Sequence, residues 1–289
     1  MMPCKPSTFM LQCCNDANAW DRSLRKEYPD DNNNSSLYWE AAIELLDVST
    51  KLNLPFVRKS AISALKCLFP TDLIDGRIPT FQPIIAGFRQ QSDEKMFYRI
   101  FPIKAIHFFH EHGVPSMLPM AYYHAAQLSV EDIVNGVECG DVVWKLNPVD
   151  MMKVLKGRDK LKTSRRQVLF PWLNDKMLDG GPERGSATCG LDLMFNGNYC
   201  WENFMEIYSK FNRSGFLDDN TNGLQCLSGA AQDIFPEYVC HGCWSGALSE
   251  MSIGEGKNWT SLPGYFGFEG WDAVKSLQED VDRGWEGDY

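Results

Sequence analysis

The pattern in this chain best suited to chemistry is Cys240-His241-Gly242-Cys243, where two thiols flank a short turn. Thiolates at this spacing can bind one tetrahedral Zn²⁺, and the glycine relieves the backbone between them. One such pair supplies half of a structural site. Cys189 and Cys200 lie upstream on either side of Asn196-Gly197-Asn198, a turn sequence that can bring them together. We therefore predict a structural zinc site on Cys189, Cys200, Cys240 and Cys243, with no open position for catalysis.

Two other interpretations of these cysteines stay open. Free cysteine is among the most buried residue types, so the thiols could be small core residues. A redox pair is the third interpretation, but no strand–helix context of the thioredoxin type precedes Cys240. Cys226 is a fifth candidate ligand for the metal.

Other chemical motifs are weaker. His107, His110 and His112 flank Glu111 but lack the zincin spacing of two histidines four positions apart, so we expect packing or solvent-facing roles. The run 153–166 holds seven basic residues and one acidic residue, which is more typical of a solvated helix face than of groove binding.

The motifs of common enzyme classes are missing. The glycine-rich stretch 180–186 lacks the lysine of a phosphate-binding loop. No nucleophile elbow or dinucleotide fingerprint occurs, and we predict a protein without enzymatic activity.

Composition sets the class of protein. The 289 residues are 44% hydrophobic and 12% aromatic, which are ordinary globular values, and the formal net charge is −10. A protein that grips nucleic acid over its whole surface usually has the opposite balance. No apolar run approaches the length of about 20 residues that spans a bilayer, and no secretory signal is recognisable. We expect an intracellular protein of cytoplasm or nucleus, with no membrane contact and with reduced cysteines.

The elements that must position these residues are mostly helices. Asn53-Leu54-Pro55-Phe56-Val57 corresponds to Gly113-Val114-Pro115-Ser116-Met117 at an offset of 60 residues. Asn and Gly tolerate a left-handed helix stop, and proline is favoured at the first position of the next helix. The spacing predicts two helical hairpins, over about 38–68 and 100–127. The stretch 69–99 between them, with three prolines, is predicted to be a loop with short turns.

Further helices follow these pairs. Ser129 has capping-box spacing, and Asn147-Pro148 opens a helix that we expect to stop at Gly157, with another helix from Leu161 to Leu173. No period-2 segment is long enough for a sheet. Five tryptophans and five cysteines fall in 180–289. We predict a mainly α protein with a flexible arm over 1–36, a helical domain over 37–179 and a smaller Cys/Trp-rich unit over 180–289.

Several segments together resemble one family. They are Leu45-Leu46-Asp47-Val48-Ser49-Thr50-Lys51, Val57-Arg58-Lys59, Leu68-Phe69-Pro70-Thr71, Leu118-Pro119-Met120-Ala121-Tyr122-Tyr123, Gly157-Arg158-Asp159-Lys160-Leu161 and Trp259-Thr260-Ser261-Leu262-Pro263-Gly264-Tyr265-Phe266-Gly267-Phe268. In this order they resemble the region that follows the BTB/POZ domain in mushroom-type fungal BTB proteins. The resemblance covers about 38–275, and the four cysteines fall where such proteins tend to carry cysteines.

The resemblance implies BTB-closing and BACK-like helical hairpins and a role as an adaptor that binds other proteins. Only 37 residues precede the first shared helix, whereas a BTB core needs roughly a hundred residues with strands. The dimerisation and cullin-docking surfaces of that core are therefore expected to be absent or incomplete, as in a truncated or mis-spliced gene product. The alternative function is a zinc-containing, transcription-related protein that binds nucleic acid through the basic 153–166 face.

Overall fold

The computed structural model describes residues 35–66, 68–73, 92–164, 209, 224 and 241–286. Within these residues the chain is mainly α-helical, as predicted. The predicted arm over 1–36 lies almost entirely outside the described residues. No helix in the described ranges has both the length and the apolar character needed to cross a bilayer.

Eight α-helices and one small ribbon make up the described part of the chain. The helices are α1 (Ser35–Lys51), α2 (Pro55–Leu65), α3 (Ser92–Glu111), α4 (Leu118–Ala126), α5 (Val130–Asn135), α6 (Pro148–Ser164), α7 (His241–Tyr265) and α8 (Trp271–Glu286). A 3₁₀ turn, Pro115–Met117, precedes α4. Strands β1 (Val137–Cys139) and β2 (Val142–Trp144) pair antiparallel, with Glu138 opposite Val143.

The two predicted helix stops are observed. Asn53 has φ 50° and Gly113 has φ 60°, so both adopt the left-handed conformation that ends a helix. Pro55 is the first residue of α2, as predicted. Pro115 opens the 3₁₀ turn rather than an α-helix, and the α-helical hydrogen bonds begin three residues later.

The hydrogen bonds at these stops are the same. Leu54 N–H donates to the Ser49 carbonyl and Val114 N–H donates to the Phe109 carbonyl, each over five residues and 2.8 Å. The two left-handed residues each donate to the carbonyl three residues back, at 3.4 Å in both. This pair of bonds is the Schellman motif. The two segments that correspond at an offset of 60 residues in the sequence therefore also have the same backbone hydrogen bonds.

Two helix boundaries differ from the prediction. The expected stop at Gly157 is wrong, because α6 runs through it to Ser164. A Cβ at Gly157 would lie 2.0 Å from Cε1 of Phe266, so the glycine allows α6 to approach α7 rather than ending a helix. The expected loop over 69–99 is also wrong in its last part, since α3 begins at Ser92 and continues through Pro102.

The ribbon is a further correction. We predicted no sheet, and β1 and β2 are only three residues each, which is too short for a period-2 pattern to stand out. Gly140 provides a left-handed turn residue between them, with φ 59°. The predicted caps of the neighbouring helices are confirmed, since Ser129 Oγ accepts from Asp132 N–H at 3.0 Å and Asn147 Oδ1 accepts from Asp150 N–H at 2.9 Å.

One hydrophobic core connects the described residues of both predicted units. It joins side chains of α1 to α4 with Trp259, Leu262 and Phe266 of the α7 segment and Val274 of α8. Helix α8 also forms polar contacts across this boundary, where Ser116 Oγ donates to Gln278 Oε1 at 3.1 Å in a buried position. The C-terminal helices are thus part of the packing that holds α4 and α6 in place.

Candidate functional site

The four predicted zinc ligands are not located by the structure. Cys189, Cys200 and Cys240 lie outside the described residues, and of Cys243 only the backbone, at the start of α7, lies within them. Among the residues that the structure does describe, no group of three or more His, Cys, Asp or Glu side chains is arranged to hold a metal ion. The four-cysteine site stays a prediction from the sequence.

We expect the purified chain to carry about one zinc ion that four thiolates hold. The measurement is metal analysis of the dialysed protein, compared between wild type and the double variant Cys240→Ser/Cys243→Ser. The double variant should lose the metal, whereas Cys139→Ser, a change at an exposed cysteine of the ribbon, should keep it. A zinc-free wild type that still folds would contradict the prediction and leave the cysteines as buried thiols.

The structure does assemble a hydrogen-bonded cluster at the start of α6, in which Asp150 and Tyr122 are buried and His110 and Asn147 are exposed. Asp150 Oδ1 accepts a hydrogen bond from the Tyr122 hydroxyl of α4. Nε2 of His110, on α3, lies 3.3 Å from the same carboxylate oxygen and 3.1 Å from the Tyr122 hydroxyl. Asn147 Nδ2 donates to the other carboxylate oxygen of Asp150 at 2.6 Å. Side chains from three helices thus meet at one carboxylate.

The pKa values of the two acidic groups of the cluster are shifted in opposite directions. Burial and the neighbouring carboxylate together raise the pKa of Tyr122 well above its usual value, so the phenol keeps its proton and donates it. Burial also opposes ionisation of Asp150, but hydrogen bonds from His110, Tyr122 and Asn147 outweigh it and lower the pKa of the carboxyl. A protonated phenol beside an ionised carboxylate is a stable donor–acceptor pair. The cluster therefore fixes the start of α6 against α3 and α4.

Asp150→Asn is expected to lower the free energy of unfolding by about 1–2 kcal/mol at pH 7, because hydrogen bonds to a charged acceptor become neutral ones. A carboxyl whose folded-state pKa is lowered stabilises the fold above its unfolded pKa of about 3.9 and stops doing so as pH falls through the folded value. Urea unfolding of both proteins from pH 7 to pH 3 should show the difference shrinking below about pH 4. Asp159→Asn, at an exposed position of the same helix, is the control. A difference that grows on acidification would contradict the assignment.

Two large apolar side chains are exposed on α6 close to this cluster. Val149 is 66% exposed and Met152 is 48% exposed, one helical turn apart. An opening of about 380 Å³ lies beside them, and its lining residues are Pro148, Val149, Met152, Lys153 and Lys156. We call these five residues the α6 face. Asp150, the buried carboxylate of the cluster, lies between Val149 and Met152 of this face in the sequence of α6.

The α6 face is also connected to the core through Lys153. Its Nζ lies 5.4 Å from the ring centroid of Tyr122 and 5.4 Å from that of Phe268. Both distances are within the range of a cation–π contact. Tyr122 in turn stacks on Phe266, with 5.7 Å between ring centroids. The ammonium group is therefore held at the edge of the opening.

Several basic side chains of the run 153–166 contact other parts of the chain. Nη1 of Arg158 donates to the carbonyl oxygens of Ala126, at 2.8 Å, and Leu128. Lys160 Nζ donates to the Gly264 carbonyl at 3.0 Å. With Lys153, three of the five basic side chains over 153–164 make such contacts. Arg165 and Arg166 lie outside the described residues, and nucleic-acid binding stays the alternative prediction.

His110 and His112 fit the expectation of packing or solvent-facing roles, since His110 is exposed and His112 is buried. His110 belongs to the cluster with Asp150. His112 is buried, and its Nδ1 lies 3.2 Å from Thr50 Oγ1. Burial lowers the pKa of His112, although the nearby Glu111 and Asp47 carboxylates oppose the shift.

The sequence analysis did not single out Tyr122, Asp150, Val149 or Met152. Asp150 carried one usable signal, because it stands three residues after the helix cap Asn147, where a side chain can return to the cap. The outward apolar pair carried none, since apolar residues of α6 occur on most sides of the helix.

Comparison with known proteins adds no assignment. No protein-family model, no curated protein and no solved structure matches this chain. The BTB/POZ resemblance stays a prediction that depends on the motifs themselves.

Proposed function

We propose that this chain is a non-catalytic protein-interaction module that acts as an adaptor. The observation that carries the proposal is the α6 face, where Val149 and Met152 are exposed on a helix that the hydrogen bonds of the buried Asp150 carboxylate hold in place. Exposed apolar residues that lie side by side, rather than singly, are candidates for a protein-binding surface. A helix held in place with such residues exposed among the described part of the chain offers a partner a preorganised contact, which lowers the entropy cost of binding.

A second exposed apolar pair supports the same proposal. Leu52 is 63% exposed and Phe56 is 68% exposed, on either side of the stop at Asn53. Neither side chain belongs to the hydrophobic core formed by the described residues. The α6 face has the additional feature of an opening beside it, which makes it the stronger candidate.

We propose that α1–α2 and α3–α4 correspond to the BTB-closing and BACK-like hairpins of fungal BTB proteins. The equal Schellman stops support treating the two as equivalent helix pairs. Two motifs of the resemblance also contact each other, because Gly157 packs on the Phe266 ring and Lys160 donates to the Gly264 carbonyl. These contacts support the proposal that the two motifs belong to one structural unit.

The test is affinity purification from the source cells with quantitative comparison of three baits. The wild-type chain is compared with Val149→Asp/Met152→Asp and with Leu277→Asp, a matched change at another exposed apolar residue, which is 49% exposed on α8. We expect specific partners to be enriched by the wild type and by Leu277→Asp and lost with the α6 variant. No protein enriched over an unrelated helical bait would contradict the adaptor proposal. Partners that are still enriched by the α6 variant would show that they bind another surface of the chain.

A further inference from the structure

Building on the proposed adaptor function, we infer that the α6 face binds an acidic amphipathic helix of a partner protein. Helix-in-groove recognition places the apolar side of one helix against an apolar surface and leaves charged residues at the rim. The α6 face supplies both parts. Its apolar centre and its positively charged rim specify the chemistry of the segment that covers it.

The centre of the face suits large aliphatic side chains. Val149 and Met152 border the opening of about 380 Å³, and Pro148 closes it at the start of the helix. Methionine has a flexible and polarisable side chain, which adapts its shape to an incoming apolar group. Leucine or phenylalanine side chains from one side of a partner helix can enter such an opening.

The rim selects the charge of the partner. The charged residues that line the opening are Lys153 and Lys156, whereas the whole chain has a net charge of −10. The nearest carboxylates along α6 are Asp150, which is buried and hydrogen-bonded to Tyr122, and Asp159, which lies one turn beyond Lys156. A partner with glutamate or aspartate beside its apolar side would be attracted to the two lysines of the face.

The size and charge of the face disfavour a second copy of this chain as the occupant. A symmetric dimer through this face would bring the lysines of both copies together, and like charges across an interface oppose association. Two exposed apolar side chains are also far fewer than a stable dimer interface buries. A single helical segment is the occupant of appropriate size.

The test is binding of two labelled synthetic peptides to the full chain by fluorescence anisotropy. Both peptides have about 18 residues with leucines along one helical side. One carries glutamates on its remaining positions and the other carries lysines. We expect the acidic peptide to bind the wild-type chain about tenfold more tightly than the basic peptide, with the difference decreasing at high salt.

Charge reversal provides the decisive comparison. Lys156→Glu is expected to weaken the acidic peptide about tenfold and to strengthen the basic one. Met152→Asp should weaken both peptides. The control, Lys162→Glu, changes the same charge on α6 outside the opening and should leave both affinities unchanged. Circular dichroism and thermal unfolding of each variant verify the fold, and Lys156 is chosen over Lys153 because Lys153 also contacts aromatic rings of the core.

The inference would be overturned by equal binding of the two peptides, by no binding of the acidic one, or by a Lys156→Glu variant that behaves as wild type. These outcomes are separate from those of the affinity purification. Partners lost with Val149→Asp/Met152→Asp, combined with equal peptide binding, would support the adaptor function and refute the acidic helix. Absence of any enriched partner would refute the adaptor function itself.

Discussion

Gly157→Ala is expected to destabilise the protein by about 2–3 kcal/mol, although alanine is the better helix former. Elsewhere in a helix interior this substitution stabilises by up to about 1 kcal/mol. At Gly157 the added Cβ would lie 2.0 Å from one ring atom of Phe266 and 2.3 Å from the next. The ring is buried and stacks on Tyr122, so it has little room to move. Urea unfolding gives the free energy of unfolding for both proteins.

Gly256→Ala is the matched control. Gly256 lies inside α7, and a Cβ built there meets no atom within 4 Å. The same substitution is therefore expected to stabilise by about 0.5–1 kcal/mol, which is the opposite sign. Combining Gly157→Ala with Phe266→Leu should recover part of the loss, because the smaller side chain leaves space for the new methyl group. Equal effects of the two alanine substitutions would show that α6 and α7 do not pack as described.

This glycine also illustrates what the sequence could not provide. A glycine three-fifths of the way along a polar helix is consistent with either a stop or a close approach, and the local sequence is the same in both cases. The deciding atom belongs to Phe266, more than a hundred residues further along the chain. Long-range packing overrode the local preference.

The helix stops at Asn53 and Gly113 were predictable because their cause is local. The left-handed backbone conformation depends on the residue itself, and the hydrogen bonds that close the motif reach back only three and five residues. The same reasoning explains the correct caps at Ser129 and Asn147. Where local backbone chemistry ends a helix, the amino-acid sequence is sufficient to predict that end.

The candidate site was predictable in part. The cap at Asn147 placed Asp150 in the first turn of a helix. Its partners His110 and Tyr122 lie 40 and 28 positions earlier in the sequence, on two other helices. No spacing rule connects a tyrosine, a histidine and an aspartate across three helices. The cysteines present the reverse case, because their spacing gives a specific prediction and the structure does not locate their side chains.

Arg58 is the buried charge with the largest expected effect among the described residues. Its residue exposure is 1%, and its Nη2 donates to the Gly113 carbonyl at 2.9 Å. Its Nε lies 3.4 Å from Asp282 Oδ1, and the guanidinium carbon lies 4.9 Å from the Trp285 ring centroid. Burial lowers the pKa of Arg58, and the Asp282 carboxylate opposes this shift. One side chain thus joins α2, the second Schellman stop and α8.

Arg58→Met is expected to lower the free energy of unfolding by about 2–4 kcal/mol, since it removes the hydrogen bond, the ion pair and the contact with Trp285. Arg58→Lys should recover only part of this, because one ammonium group cannot reproduce the planar guanidinium. Arg283→Met is the matched control, with the same substitution at a side chain that is 73% exposed and paired with Asp280 within α8, and it should cost less than about 0.5 kcal/mol. Hydrogen exchange should show the amides of α8 losing protection first in Arg58→Met, because that helix loses its contacts with α2 through Asp282 and Trp285. Equal effects of the two methionine substitutions, or loss of protection confined to α2, would contradict the role assigned to Arg58 in docking α8.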